Sequence, residues 1–333
     1  ESLWYTAGYS YQGQMNRFRQ RRAWHWTNKA MVNTFTFEKP QFGNYRILLD
    51  GGFDLLYTPL VEFQAGKGRI LLCQLDLVER CGMDPVAALL VRRILAEYSR
   101  TEARALTPVG AVSPAAAAAL GELRMATAKG LTGGVAFLLP ADLEAIRPEE
   151  LRAYLDQGGN VVTTLATAEQ AARLPVKVEL AARELFNPAL PADPAFAGLG
   201  MSDLYLREVQ KGPFIAAVAG APAVVSPDGV AAAVSVGKGK LVILQIAHDR
   251  YVGAEGFWER SKVIRLWVTV LSNLGGLSTV RPDPTGVSSF GLPEEWLAGY
   301  AERVPKKGFP RLAESPLYQQ PALDWDPESH VAF

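Results

Sequence analysis

"GKGRILLCQLDLVER" runs from Gly66 to Arg80 and "GKGKLVILQIAHDRY" from Gly237 to Tyr251, so the two phrases begin 171 residues apart. A spacing of that size is domain-sized and points to two copies of one unit. Each copy opens on Gly-Lys-Gly, a tight turn in which glycine tolerates positive φ. Each continues as an unbroken apolar run, "RILLCQL" or "KLVILQI". Continuous rather than alternating apolarity predicts a strand buried on both faces of a sheet, with Ile70, Leu72, Leu241 and Ile243 in the core. A polar break follows in both copies. Then comes an amphipathic helix, "DPVAALLVRRILAEY" (Asp84–Tyr98) or "FWERSKVIRLWVTVLSNLG" (Phe257–Gly275). Asp-Pro starts the first helix as N-cap and first-turn proline, and a pair of glycines stops the second.

Between the copies lies an α/β run. "ALTPVGAV", "GGVAFLLP" and "NVVTTLA" read as strands, while "SPAAAAALGELRMATAKG" and "RPEELRAYLDQGG" read as helices. Strands alternating with helices predict a parallel sheet covered on both faces. The second copy is therefore complete, from about Arg104 to about Val280. The first copy has only strands and turns ahead of its Gly-Lys-Gly, and no counterpart of the opening β-α-β-α-β section. Its strands at 47–49 and 70–75 would leave an apolar face and a strand edge bare. The expectation is that an upstream segment, or a second chain, completes this first unit.

The rest of the chain is less specific. Among its 333 residues 49% are hydrophobic, ample for more than one core, and Lys plus Arg equals Asp plus Glu at 34 each. Zero net charge gives no general case for a nucleic-acid or membrane partner. The basic, aromatic stretch "NRFRQRRAWHW" (Asn16–Trp26) reads as a solvated loop entering a strand. No apolar stretch reaches roughly 18 residues, so no membrane span is expected. The opening "ESLWYTAGYS" lacks the features of a signal peptide. Cys73 reads as a small buried hydrophobe. With neither CxxC spacing nor Cys/His clustering, no metal site and no cofactor are expected. Residues 281–333 hold 8 of the 22 prolines together with Trp296, Tyr318 and Trp325, a composition suited to an extended strap anchored by aromatics.

A strand, a polar break and a helix late in an α/β unit resemble the class I glutamine amidotransferases. Their late strand ends in a Gln-Phe-His-Pro-Glu type motif, and their nucleophilic Cys sits on a Gly-x-Cys-x-Gly elbow. Here the likeness reaches the glutamine and stops. "CQLDLVER" puts Asp76 where the histidine would fall, "LQIAHDR" puts Ala247 there with His248 one place late, and "TLATAEQ" (Thr164–Gln170) has neither Cys nor Gly. Without thiolate and base that chemistry cannot run.

A closer resemblance covers residues 17–98. "RRAWHWTNKAMVNTFTFEKPQFGNYRILLDGGFDLLYTPLVEFQAGKGRILLCQLDLVER" is similar to the C-terminal region of large bacterial glycoside hydrolases of the family 2 and β-galactosidase type. These end in modules related to the β-galactosidase trimerisation domain. "LDWDPESHVAF" is similar to their Asp-Pro-aromatic ending, with His330 and Ala332 departing from it. The resemblance implies two tandem three-layer α/β/α, flavodoxin-like, amidotransferase-like domains: 1–100 as the C-terminal half of the first, 101–280 as a complete second, and 281–333 as an extended tail. It also implies a non-catalytic role in assembling and bracing a carbohydrate-active enzyme, bordering its sugar cleft, in a homo-oligomer that is periplasmic or secreted.

The candidate sites are few. No residue is assigned as catalytic on the leading reading. Trp24, Trp26 and Tyr57 are the stacking platforms if the chain is a sugar-binding module. His248 with Asp249, after a strand's C-terminal end, is the pair available to a self-contained hydrolase. Asp50, Asp54 and Glu62 read as turn and loop acids.

Overall fold

The computed structural model describes residues 37–51, 57–75, 77, 81–82, 85–100, 105–186, 188–206, 208–252 and 257–280. Trp24, Trp26, Asp54, Asp76 and the tail 281–333 lie outside these residues.

The first part forms β1 (Phe37–Glu38), β2 (Tyr45–Gly51), β3 (Tyr57–Ala65), β4 (Gly68–Cys73) and helix α1 (Pro85–Arg100). Its sheet is antiparallel throughout, with β3 bonded to β2 on one side and to β1 and β4 on the other. Helix α1 lays Val86, Leu90, Val91 and Ile94 against Leu49, Leu75 and Leu77.

The second part runs β5 (Val109–Ala111), α2 (Pro114–Glu122), β6 (Thr127–Lys129), β7 (Val135–Leu138), α3 (Pro140–Ala145), α4 (Pro148–Asp156), β8 (Asn160–Thr163) and α5 (Ala168–Ala171). It continues with β9 (Lys177–Leu185), β10 (Gln210–Ala219), β11 (Ala223–Val225), β12 (Ala231–Val236), β13 (Gly239–Leu244) and α6 (Phe257–Asn273). Ser113 starts α2 by accepting from Ala116 N–H at 3.1 Å, with Pro114 in the first turn. Seven strands form one sheet in the order β11-β12-β13-β8-β7-β5-β6. From β13 to β6 every pairing is parallel, and β11 and β12 add an antiparallel margin. The chain is thus α/β with a mostly parallel central sheet, as its alternating pattern predicts.

One face of that sheet packs Leu138, Val161, Leu241 and Ile243 against Leu143, Leu151 and Leu155 of α3 and α4, and against Val178 and Ile215 of the β9–β10 ribbon. The other face packs Val109, Phe137 and Val242 against α2 and α6. The same cluster takes in Phe42, Tyr45, Ile47, Val61 and Phe63 of the first sheet. Helix α6 is therefore a wall shared by two sheets. Every residue from Ser261 to Ser272 is buried, including Lys262, Arg265 and Thr269. The amphipathic reading of this helix is corrected: its polar stripe is covered by the first sheet and by residues 200–205. The apolar face of the first sheet that looked bare is covered by the same contact.

The repeat holds at the level of backbone pairing. Leu60↔Cys73, Val61↔Leu72, Glu62↔Leu71, Phe63↔Ile70, Gln64↔Arg69 and Ala65↔Gly68 in the β3–β4 hairpin match Ala231↔Leu244 through Val236↔Gly239 in the β12–β13 hairpin, each residue displaced by 171. Gln74 N–H donates to Pro59 and Gln245 N–H to Val230, both at 2.8 Å. Gly66 and Gly237 turn the two hairpins at φ +60° and +58°, the left-handed region that a side chain disfavours.

The surroundings of the two hairpins differ. β13 lies between β12 and β8, and Leu241 and Ile243 are wholly buried. Among the described residues β4 is bonded only to β3, as an antiparallel strand. Ile70 is 37% exposed, Leu72 is partly buried and Cys73 is exposed, which corrects the expectation of a core strand there. An apolar run reads as doubly buried whether or not a neighbour occupies its second edge.

Candidate functional site

A cleft of about 270 Å³ opens between the first sheet and the end of α6. β2 and the residue before it supply Asn44, Tyr45 and Arg46, β3 supplies Glu62 and Gln64, β4 supplies Arg69, and the end of α6 supplies Ser272 and Asn273. Alternation along β3 sends Val61 and Phe63 to the shared core and Glu62 to the opposite face.

Glu62 sits at the centre of this wall. Its Oε2 accepts from Arg46 Nη2 and from Arg69 Nη1, each at 3.3 Å, and from the Tyr98 hydroxyl. The Arg69 guanidinium also stands 4.4 Å from the centre of the Tyr98 ring. Burial, and then the Glu62 carboxylate, raise the Tyr98 phenol above its ordinary range, so it remains a donor. Glu62, read in sequence as a loop acid, is thus a nearly buried strand residue held by two cations and a phenol.

The far wall is tied down by Asn44. Its Nδ2 donates to Ser272 Oγ at 2.9 Å and to the Gly276 carbonyl at 2.7 Å, and its Oδ1 accepts from Ser278 N–H at 2.8 Å. Asn273 bridges to the carbonyls of Ala195 and Ala197 at 3.1 and 2.8 Å. The cleft is lined by amides, guanidinium groups and carboxylates, with Arg46 and Arg69 balanced by Glu62 and Glu97.

The sequence candidates are placed elsewhere. Tyr57 begins β3 in register with Glu38, is 37% exposed, and does not line the cleft. His248 follows β13, half-buried, with its ring edge-on to Phe137 and Trp267 at centroid distances of 5.5 and 6.2 Å. Burial lowers its pKa, assisted by the Arg260 cation and opposed by Asp249 and Glu122, which leaves the imidazole neutral at neutral pH. Arg260 bonds the His248 carbonyl and pairs with Glu122 at 3.3 Å. Asp249 is exposed. Among the described residues no hydroxyl or thiol nucleophile is bonded to His248, and no cluster of three metal-ligating side chains occurs.

Two other groups carry structural roles that the sequence signalled only by position. Gln245, the last residue shared with the amidotransferase motif, clamps the turn after β8. Its Oε1 accepts from Leu165 N–H at 3.0 Å, and its Nε2 donates to the carbonyls of Leu165 at 2.9 Å and Pro213 at 2.5 Å. Lys39, Asp50, Ser202, Asp203 and Arg265 form an ionic cluster linking the first sheet to α6, with Lys39, Asp203 and Arg265 buried and Asp50 29% exposed. Lys39 Nζ lies 2.8 Å from Asp50 and 3.5 Å from Asp203, and Arg265 Nη1 lies 2.8 Å from Asp203. In comparisons with known proteins, no family model, curated protein or solved structure matches the chain.

Proposed function

We propose that this chain is a non-catalytic portion of a carbohydrate-active enzyme, a glycoside hydrolase of β-galactosidase type, in which it assembles and braces the catalytic part. The observation that carries this reading is the shared wall. Helix α6 is buried on all sides between two sheets and bolted to the first by the Lys39–Asp203–Arg265 cluster. Such a joint holds two layers in a fixed relation, which is what a brace needs. The six-pair match between hairpins supports the finer reading of tandem amidotransferase-like units, the first lacking its opening section. The link to carbohydrate rests on the resemblance of residues 17–98, and the charge-balanced cleft is the face that would border the sugar.

The purified chain should turn over neither glutamine nor aryl glycosides. Turnover that disappears in His248→Ala would overturn the proposal in favour of a self-contained hydrolase. In the polypeptide that carries the chain, Asp203→Asn should lower the temperature at which glycosidase activity is lost while leaving KM unchanged. A carrier without glycosidase activity would also overturn it.

A further inference from the structure

Three differences between the two hairpins point the same way. First, β13 pairs in parallel with β8 through Leu241↔Val161, Val242↔Val162 and Ile243↔Thr163. The edge of β4 in the same position, at Ile70, Leu71 and Leu72, is bonded to nothing among the described residues. Second, the clamp of Gln245 on the turn after β8 has an unfilled counterpart. Gln74 stands 171 residues earlier, and its Oε1 is buried with no hydrogen-bond partner among the described residues, whereas Gln245 Oε1 takes the Leu165 N–H. A buried acceptor left unmade is costly, and each such group in a native fold calls for an explanation. Third, Gly239 abuts the Gly159 carbonyl at the entrance to β8, closer than any side chain would allow. Among the described residues a Cβ on Gly68 would meet only the Ala65 carbonyl, at 3.6 Å. The first hairpin thus keeps a glycine whose packing reason exists only in the second.

We propose that the β4 edge is a docking site for one parallel, apolar strand and its following turn, a counterpart of Asn160–Ala166. The turn would donate a backbone N–H to Gln74 Oε1. The occupant is a strand of the same polypeptide lying outside residues 1–333, supplied in cis as β8 is supplied to β13. This deepens the tandem-unit reading and rests on it. Strand addition satisfies the bare donors and acceptors of β4 and covers Ile70.

The test tethers a stand-in strand. Gly158–Gln170 (GGNVVTTLATAEQ) is joined to the N-terminus of the full chain through a flexible Gly/Ser linker, which holds it at roughly millimolar effective concentration. Amides of β4 not bonded to β3 should then exchange with deuterium at least tenfold more slowly than in the untethered chain. Gln74→Leu should remove most of that slowing. In the untethered chain Gln74→Leu should leave Tm unchanged or raised, whereas Gln245→Leu should lower it. No slowing on tethering overturns the proposal, as does a Gln74→Leu loss equal to that of Gln245→Leu. Slow exchange already present in the untethered chain also overturns it. A particle of twice 36.2 kDa would then assign the edge to a second copy, and a monomer would assign it to another part of this chain. None of these outcomes depends on the absence of glutaminase or glycosidase turnover, so the two proposals fail separately.

Discussion

Replacing Asp203 by Asn should expose how firmly the first sheet is fixed to α6. The Asp203 side chain is 1% exposed, and those of Arg265 and Lys39 are 4% and 0% exposed. The carboxylate accepts from Arg265 Nη1 at 2.8 Å and from Gly200 N–H at 2.9 Å, and it faces Lys39 Nζ at 3.5 Å. With Asp50 included, two cations meet two anions. The Asp203→Asn change would leave the group with one positive charge in excess and an amide donor turned toward other donors. Breaking a buried pair by removing one partner costs about 3–5 kcal/mol. The lower end applies, because Lys39 keeps Asp50 at 2.8 Å and Arg265 keeps the carbonyls of Pro40 and Lys39. A loss of about 3 kcal/mol corresponds to a fall in Tm of roughly 6–12 °C for a folded region of this size.

Thermal unfolding followed by circular dichroism at neutral pH would measure it. The double variant Asp203→Asn with Arg265→Met removes the excess charge, and should lie closer to wild type than the additive sum of the two single changes. Burial pushes the Asp203 carboxyl up, but Arg265, Lys39 and the Gly200 N–H outweigh burial and hold it below the ordinary 3.8. Its contribution is therefore complete at neutral pH and is lost only as pH falls below that value, so wild type and variant should converge in strong acid. A fall under about 2 °C at neutral pH, or strict additivity in the double variant, would refute the argument that this cluster is a compensated buried network.

Ile243→Ala should cost about 2–5 kcal/mol in chemical denaturation, because the residue is wholly buried, while Ile70→Ala, 37% exposed, should cost clearly less. Equal costs would show that β4 is covered in solution. His248 has its pKa lowered by burial, so its contribution to stability is full above 6.5 and declines as pH falls below that; His248→Gln should flatten this stretch of the pH–stability profile. A fragment of residues 101–280 should melt below the full chain and bind a hydrophobic dye, because losing the first sheet uncovers α6; the same Tm for both would show that the shared wall contributes nothing.

What could be read from the sequence was the part governed by neighbours along the chain. Gly-Lys-Gly followed by an apolar run specifies a hairpin, and its register is the same at both places. Strand–helix alternation gave the parallel sheet. The errors lie where partners are distant. Lys262, Arg265, Thr269 and Ser272 repeat at helical spacing and look like a solvated stripe, yet they face residues such as Tyr205, Asp203 and Asn44. Glu62 is followed by Phe63 and Gln64 in an ordinary alternating strand, and nothing nearby announces that Arg46, Arg69 and Tyr98 will converge on it. His248 attracted notice because histidine is scarce and follows a strand, but its ring is occupied with Phe137 and Trp267. Gln74 and Gln245 were visible as the same residue at the same place in both copies, without a sign of what each would hold.

The polar character of the joint between the sheets has a physical consequence for the proposed role. A purely apolar face laid on α6 would be held by burial, which is non-directional and tolerates sliding by a residue or a turn. Asn44 instead satisfies Ser272, Gly276 and Ser278 at once, and Arg265 donates to the carbonyls of Lys39 and Pro40 while pairing with Asp203. Shifting the first sheet by one residue would leave those buried groups unmade, at about 1–3 kcal/mol for each neutral one. The same interactions that add modestly to net stability therefore exclude neighbouring registers strongly. A part whose task is to hold other parts in place depends on that exclusion more than on raw stability. Apolar substitutions at Asn44 and Arg265 should accordingly loosen position, seen as faster amide exchange in β2, before they abolish folding.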